Sequence, residues 1–493
     1  MQEIVCKALK LLVFNSTMTR ISRTQTLVIA ALIYILVVCL NTGFLATDEY
    51  WDGITRYIPA QNSSVSTLIK IDDVKSPLQI LPMHVAAQTA YLFGIENPFA
   101  QYHFVIVIWG LLGFLLCTCA AILLFRNKGE TLVKVAVLSL AFHFATPGLI
   151  TRPMFESLAA PWVALSCAFA VLYDEKQKWR FLFAGIFSAS IAFILRQQTG
   201  FGALIFILLP LLHKNWKHLF YASFVGIGFF LLSGIPDIFL RGSFHHSLRA
   251  LADYNFKYGS HYGNQPWHFF LPLIFICMMA PWLIAKYPNK FLSEYFRRYR
   301  SLWIVLGLFL TLHSMFANKF ERFLISMIPL MIFLMVPILG YFVECWPQRK
   351  KRILSLAVVN LILWFPASFF PAQKNIIDLA RYLDAHPEYK ILVNIDNSYE
   401  WIPDAFIKNP QHSATAISSE QFQNMTTPNC DHLIVFNENA RIKNEDVLSD
   451  HYRLLAKFDV NIIEAIAYKL NPEHNIRRSP LSVYGCKVFG LTR

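Results

Sequence analysis

About eleven stretches of this chain are apolar over most of the length that a membrane crossing requires, near 25–46, 102–125, 131–149, 156–173, 180–196, 200–213, 219–240, 267–285, 301–317, 323–343 and 353–370. A spanning helix needs about 20 mainly apolar residues. The hydrocarbon core has no water for unpaired backbone groups, so serial runs of this kind can only become helices. The run at 200–213 is the shortest. The first run is too long for the apolar segment of a cleaved signal peptide, and many further spans follow it. Apolar residues make up 55% of the 493 and charged residues 15%, which is the composition of a polytopic membrane protein.

The formal net charge of +13 raises the question of a nucleic-acid partner. Placement excludes it. The basic residues sit in short connections such as "HKNWKH" (213–218), "FRRYR" (296–300) and "PQRKKR" (347–352), which is the positive-inside pattern. With a cytoplasmic N-terminus at 1–24, an alternating walk through the runs puts every strongly basic connection on the cytoplasmic side. The membrane domain is then 25–371. The opposite face receives the first outward loop 47–101, the turns near 150–155 and 317–322, the loop 241–266, and a tail of 372–493.

The loop 47–101 contains "PLQILPMHVAAQTAYLFGI", whose topological parity makes it an interfacial or re-entrant helix. In the tail the composition becomes that of a soluble domain. "NIIDLARYLDAH" has the period of an amphipathic helix, and "KILVNID", "DHLIVFN" and "LSVYGCKVF" read as strands. Cys430 and Cys486 are the tail's two cysteines, open to a disulfide or to two free thiols. No metal-ligand spacing and no internal repeat is visible.

Polar and ionisable residues at membrane depth are costly and by default mark function. Here they gather at the outward ends of the runs: "TDEYWD" with Asp48, Glu49 and Trp51; "ITRPMFES" with Arg152 and Glu156; "RQQTG" with Arg196; "SHYGNQPWHFF" with His261, Tyr262, Trp267 and His268; and "NKFERF" with Lys319, Glu321 and Arg322. A carboxylate at the interface can act as general base toward a hydroxyl. Guanidinium and ammonium groups can hold a lipid-borne phosphate, and Trp and Tyr offer flat faces to sugar rings. Together they point to group transfer from a lipid phosphate. Their simpler readings are interfacial acids, snorkelling arginines and an aromatic belt. His84, His103 and His143 lie on apolar faces and read as structural.

These motifs, in this order, resemble glycosyltransferase family 22 of the GT-C superfamily, which includes dolichol-phosphate-mannose-dependent mannosyltransferases of GPI-anchor and N-glycan-precursor assembly. "TDEYWD" is similar to the family's "PDE" element, with Thr47 in the Pro place. "VKSPLQILP" (74–82) resembles its "RSPLYP" element, with Lys75 in the Arg place. "TRPMFES", "SHYGNQPWHFF" and "NKFERF" resemble its later elements, Asn318 and Phe320 departing from the last. The resemblance implies an all-α GT-C membrane fold of about eleven transmembrane helices with a small α/β extracytoplasmic domain at the C-terminus. It implies inverting transfer of a hexose, mannose first, from a polyprenyl- or dolichol-phosphate sugar to a glycolipid or glycan acceptor, with no cofactor and no metal. Asp48 would be the base, with Glu49 orienting it or the acceptor. Arg152, Arg196, Lys319 and Arg322 would face the donor phosphate. Trp51, His261, Tyr262, Trp267, His268 and Glu321 would line the sugar or acceptor pocket.

Two other readings compete with transfer. A lipid-linked-sugar flippase would carry charges at the membrane midplane and symmetric halves, which the sequence lacks. An inactive family member serving as an assembly subunit is kept in view by the altered "NKFERF". The tail resembles the outward domains of bacterial GT-C enzymes, which favours a bacterial inner membrane over the endoplasmic reticulum.

Overall fold

The computed structural model describes residues 21–44, 49–50, 74–259, 264–389, 391–399, 401–407, 413–424, 432–472 and 475–487. Fifteen helices carry the account: α1 (Arg23–Leu40), α2 (Pro77–Leu92), α3 (Pro98–Phe125), α4 (Glu130–Phe142), α5 (Phe155–Lys176), α6 (Trp179–Leu195), α7 (Ile205–Leu212), α8 (Trp216–Arg241), α9 (His246–Tyr258), α10 (Phe270–Cys277), α11 (Asn289–Arg298), α12 (Arg300–Met315), α13 (Ile328–Glu344), α14 (Trp346–Phe369) and α15 (Lys374–Ala385). Each of the expected apolar runs contains helix. Among the described residues six helices are long and apolar enough to cross a membrane, and three shorter apolar helices accompany them.

The chain divides into two compact units. The first takes residues 1–39, 61–86 and 105–369, and the second 40–60, 87–104 and 370–493. In the first, α5 is the central rod, packed by α6, α12 and α13. It is buried along almost its whole circumference, as a helix that is apolar all round must be. Ala159, Ala160, Ala164, Ala168 and Ala170 are all buried in it. With no Cγ atoms they let neighbouring backbones come close, the usual device where lipid supplies no hydrophobic drive between helices.

Several runs that the sequence presents as continuous are broken. α4 stops at Phe142, because His143 takes an extended backbone (φ −71°, ψ 132°). The freed groups are paired: Asn360 Nδ2 donates to the Phe142 carbonyl (2.5 Å) and the Phe144 N–H donates to Asn360 Oδ1 (3.0 Å). His143 Nδ1 accepts the Ala145 N–H (3.3 Å) and Nε2 lies 2.8 Å from the Cys277 carbonyl, so this histidine is structural, as expected. The run at 200–213 is a 3₁₀ segment, Gln197–Leu204, followed by α7. The run at 267–285 is interrupted at Met279, whose φ is +46°.

The second unit holds a five-stranded sheet of order β2-β1-β3-β5-β4, with β1 (Ile391–Ile395), β2 (Ser413–Ile417), β3 (His432–Asn437), β4 (Tyr452–Phe458) and β5 (Leu481–Cys486). β1 is parallel to β2 and β3, while β5 is antiparallel to β3 and β4. Val393, Ile395, Ile434, Phe436, Phe422 and Tyr452 form one of its core clusters. The expected helix is α15, which buries Ile376, Ile377, Leu379, Ala380 and Leu383. The three expected strands are β1, β3 and β5. Cys486 is disulfide-bonded; Cys430 lies outside the described residues.

In the first unit a Cβ on Gly148 would stand 2.1 Å from the Ala367 carbonyl oxygen of α14, closer than any side chain can approach backbone. Gly148→Val should therefore destabilise the membrane unit by about 1–3 kcal/mol or more. A fall in the melting midpoint of the detergent-solubilised protein, set beside that of Gly226→Ala, whose Cβ meets open space, would check it.

Candidate functional site

Four of the sequence motifs meet in the first unit. Ser76, Pro77 and Gln79 build the start of α2: Ser76 Oγ accepts the Leu78 N–H (3.3 Å), and Gln79 Oε1 accepts the Ser76 N–H (2.8 Å). Ser76 is thus a side-chain N-cap, with the Gln79 side chain reaching back to the cap N–H and proline at the first helical position. The arrangement also aims the Gln79 amide away from its own helix. Nε2 donates to the Leu195 carbonyl (3.0 Å) and to Gln197 Oε1 (2.9 Å), so "VKSPLQ" is pinned to "RQQTG". One residue before the cap, Lys75 places its ammonium over the Phe155 ring, 5.5 Å from the centroid, which joins it to "TRPMFES". Its carbonyl accepts from Arg241 (2.6 Å), and Arg241 is in turn held by Asp237 of its own helix (3.6 Å).

Glu156 is the electrostatic centre of this group. It lies in the first turn of α5, where the helix dipole favours an anion, and it is 5% exposed. Its Oε1 is 3.0 Å from Arg196 Nη2 and 3.9 Å from Arg322 Nε. Arg196 caps the C-terminus of α6 with an extended backbone, an end at which a cation is stabilised. Both guanidinium groups flank the Phe323 ring, at 5.1 and 5.7 Å. Arg152, three residues from the start of α5, is 2% exposed.

Phe323 is also part of the wall of a cavity of about 880 Å³. The lining is mostly apolar, with Phe193, Phe206, Phe230 and Phe256 among its rings, and Gln197, Gln198, His313 and Asn318 among its polar members. Three buried polar atoms on or beside this wall have no hydrogen-bond partner among the described residues: Arg196 Nε, His313 Nε2 and Asn318 Oδ1. His313 is held by its other nitrogen, which lies 2.9 Å from the Phe309 carbonyl. Buried orphans are rare in folded proteins, and several around one cavity mark a place for a ligand.

Other expected site residues fall elsewhere. Lys319 is buried, and its ammonium donates to the Gln265 carbonyl (3.1 Å) and to the Phe316 carbonyl. Loss of water around it pulls its pKa below the usual lysine value. It stitches the 265–268 segment to the turn before Arg322. Trp267 and His268 are exposed and pack edge-on against each other (5.4 Å), and Glu321 is exposed. Asp48, Trp51, His261 and Tyr262 lie outside the described residues.

Glu49 belongs to the second unit, buried at 1% exposure and accepting a hydrogen bond from the Tyr102 hydroxyl (2.6 Å). Tyr50 stacks on Trp401 (4.6 Å), donates to Asp404 Oδ1 and accepts the Ala405 N–H (3.0 Å). Burial pushes its phenol well above the ordinary range. Phe44, Phe99 and Phe406 complete the aromatic nest. Glu49 is thus held from the start of α3, and the residue after it, Tyr50, is gripped by residues of the tail.

Gln79, Gln197, His313 and Phe323 lie inside motifs or polar segments that the sequence marks, but it gives none of them a role of its own, and it marks neither Trp401 nor Asp404. Their roles had no local signal, since each gains its place from a partner more than a hundred residues away or from the cavity behind it.

A helical membrane protein with cations and orphaned polar atoms beside a large apolar cavity has room for an amphipathic ligand with a polar head. The chain belongs to the Alg9-like mannosyltransferase family, whose profile matches residues 71–401. No curated protein matches it closely enough to count. Its fold is shared with ArnT from Cupriavidus metallidurans bound to undecaprenyl phosphate (12% identity, 95% of this chain and 98% of that one, TM-score 0.52). The apo form of the same enzyme is similarly close (13% identity, 93% and 97%, TM-score 0.53). The chain is accordingly a GT-C glycosyltransferase integral to a membrane.

Removing the indole that covers Tyr50 tests the grip of the tail on the paired-acid motif. Trp401→Ala should destabilise the second unit by about 3–5 kcal/mol. Asp404→Asn, which keeps an acceptor at an exposed position, should cost under about 1 kcal/mol. Protease sensitivity of the tail in the purified full chain distinguishes the two.

Proposed function

We propose that this glycosyltransferase transfers mannose from a polyprenyl- or dolichol-phosphate donor to a lipid-linked or glycan acceptor, on the membrane face opposite the basic loops. The observation that supports this reading is the meeting of Arg196 and Arg322 at Glu156, on the flank of the apolar cavity. A polyprenyl phosphate has the matching halves: an anionic head for the cations and a long hydrocarbon chain for the cavity. Undecaprenyl phosphate, to which the structurally similar ArnT is bound, is a molecule of that kind, and the family match favours mannose as the sugar.

In the proposed reaction the acceptor hydroxyl oxygen attacks the anomeric carbon from the side opposite the phosphate. The bond from that carbon to the phosphate oxygen breaks, and the polyprenyl phosphate leaves with the electron pair. Asp48 takes the hydroxyl proton, and the configuration at the anomeric carbon inverts. Arg196 and Arg322 would neutralise the charge that grows on the leaving phosphate, with Arg offering a planar fork for it. Arg196 Nε has no partner among the described residues to give up first. Asn318 Oδ1 and His313 Nε2 are placed to meet polar groups of the donor. Placement in a bacterial inner membrane, with this face periplasmic, is part of the proposal and rests on the likeness of the tail to bacterial outward domains.

The test is transfer from labelled polyprenyl-phosphate mannose in membranes holding equal amounts of wild type and variants. Asp48→Asn is expected to lose about 10²–10⁴-fold in rate, the range of a missing general base. Arg322→Gln is expected to lower kcat/KM for donor by about 10–100-fold, one charge-assisted hydrogen bond. Transfer unchanged in Asp48→Asn would move the base to another group, and no transfer of mannose by wild type would overturn the choice of sugar.

A further inference from the structure

At the other ends of the same helices lies a second cavity, of about 460 Å³, between α6 and α8. Its apolar walls include Leu182, Phe183, Ile186 and Val225, and its polar members are Trp179, Lys217, His218 and Tyr221. Trp179 and Lys217 stand in the first turns of α6 and α8, so both helix N-termini lie at this end of it. Helix N-termini carry partial positive charge. Neither first turn contains an acid. Around them stand Lys176, Lys178, Arg180, Lys214 and Lys217, none of which forms an ion pair among the described residues.

The acids nearby are already engaged. Asp174 accepts from Arg300 (2.8 and 2.5 Å) and Ser301 (3.0 Å) and lies 2.8 Å from His213 Nε2. Glu175 pairs with Lys128 (3.0 Å) and Arg298 (3.3 Å). The cations at the mouth of the cavity therefore lack a counter-charge. His218 adds a neutral donor. Asn215 Nδ2 and the Tyr173 hydroxyl both lie 3.0 Å from its Nδ1. An Asn amide nitrogen can only donate, so Nδ1 is an acceptor and the ring proton sits on Nε2, which has no partner among the described residues.

We propose that this cavity binds an anionic glycerophospholipid of the leaflet at the basic pole. Its phosphate would lie near Lys217 and His218, with Lys214 and Lys178 beside it, and one acyl chain would pass between α6 and α8 along Phe183, Ile186 and Val225. Trp179 and Tyr221 suit the headgroup level, where aromatic rings with a polar edge concentrate. The donor's hydrocarbon tail is a weaker candidate. The two cavities share Ile186 and Ala222, but an uncharged chain end would leave the cations as they are.

The test uses the full-length protein in phosphatidylcholine vesicles carrying spin-labelled phosphatidylglycerol or spin-labelled phosphatidylcholine. The motionally restricted fraction is read by electron spin resonance. Wild type should hold the anionic probe several-fold more than the zwitterionic one. Lys214→Gln with Lys217→Gln should bring that ratio close to one, and so should Val225→Trp, which fills the cavity from a half-buried position without removing charge. Equal retention of both probes by wild type would overturn the proposal. An undiminished ratio in Val225→Trp would also overturn it, assigning the preference to the basic surface at large. Displacement of the probe by stoichiometric unlabelled polyprenyl phosphate would give the cavity to the donor chain instead.

Discussion

The membrane unit depends on a carboxylate that two arginines share. Arginine keeps its charge under all conditions a protein meets, and Arg196 and Arg322 stand where little water reaches, their side chains 13% and 23% exposed. Without Glu156 they would repel one another beside the same phenyl ring. With it, three segments distant in sequence are drawn together: the start of α5, the end of α6 and the turn before α13. The neutralisation is incomplete. Two guanidinium groups share one carboxylate here, and Arg196 Nε is left without a hydrogen bond among the described residues.

Much of this was legible in the sequence because the bilayer is a severe solvent. It forces apolar runs into helices and sends charges to helix ends, so run positions, the basic pole and the clustering of "TRPMFES", "RQQTG" and "NKFERF" could be read from local composition. Interruptions within runs were harder. Nothing local to residues 131–149 says that Asn360, more than two hundred positions on, will pair the groups freed where α4 ends. Strand β2, "SATAI", is short and made of small residues, and β4 buries only its first residue, Tyr452; edge strands carry little hydrophobic signal. Arg196 illustrates the limit within the site: its presence at a run's end announced a role, and only the fold reveals Glu156 as its partner.

Lys319 teaches the complementary lesson. In the linear motif it stands beside Arg322 with equal claim to a ligand. In space its ammonium faces two backbone carbonyls, which a flexible point charge with three donors satisfies well. Cations of one motif thus divide their work, the lysine fixing the turn and the arginine pointing from it. At Arg241 the parts are exchanged: the arginine fixes the turn through the Lys75 carbonyl, and Lys75 reaches Phe155 from it.

The paired acids that follow the first helix make a different demand. If an acid there is to take a proton from a hydroxyl, as the proposed reaction requires, it must be held still. In the second unit Glu49 is anchored by Tyr102, and Tyr50 by Trp401, Asp404 and Ala405, rings and backbone drawn from the first outward segment and the tail. Stacked aromatics lose little entropy on ordering, having few rotatable bonds, and they exclude water that would compete for the Glu49–Tyr102 hydrogen bond. A tail without any catalytic motif of its own then has a physical reason to be present. It supplies the rigid half of a clamp on the residues next to Asp48, and a sheet of five strands is a stiffer support for that clamp than a loop.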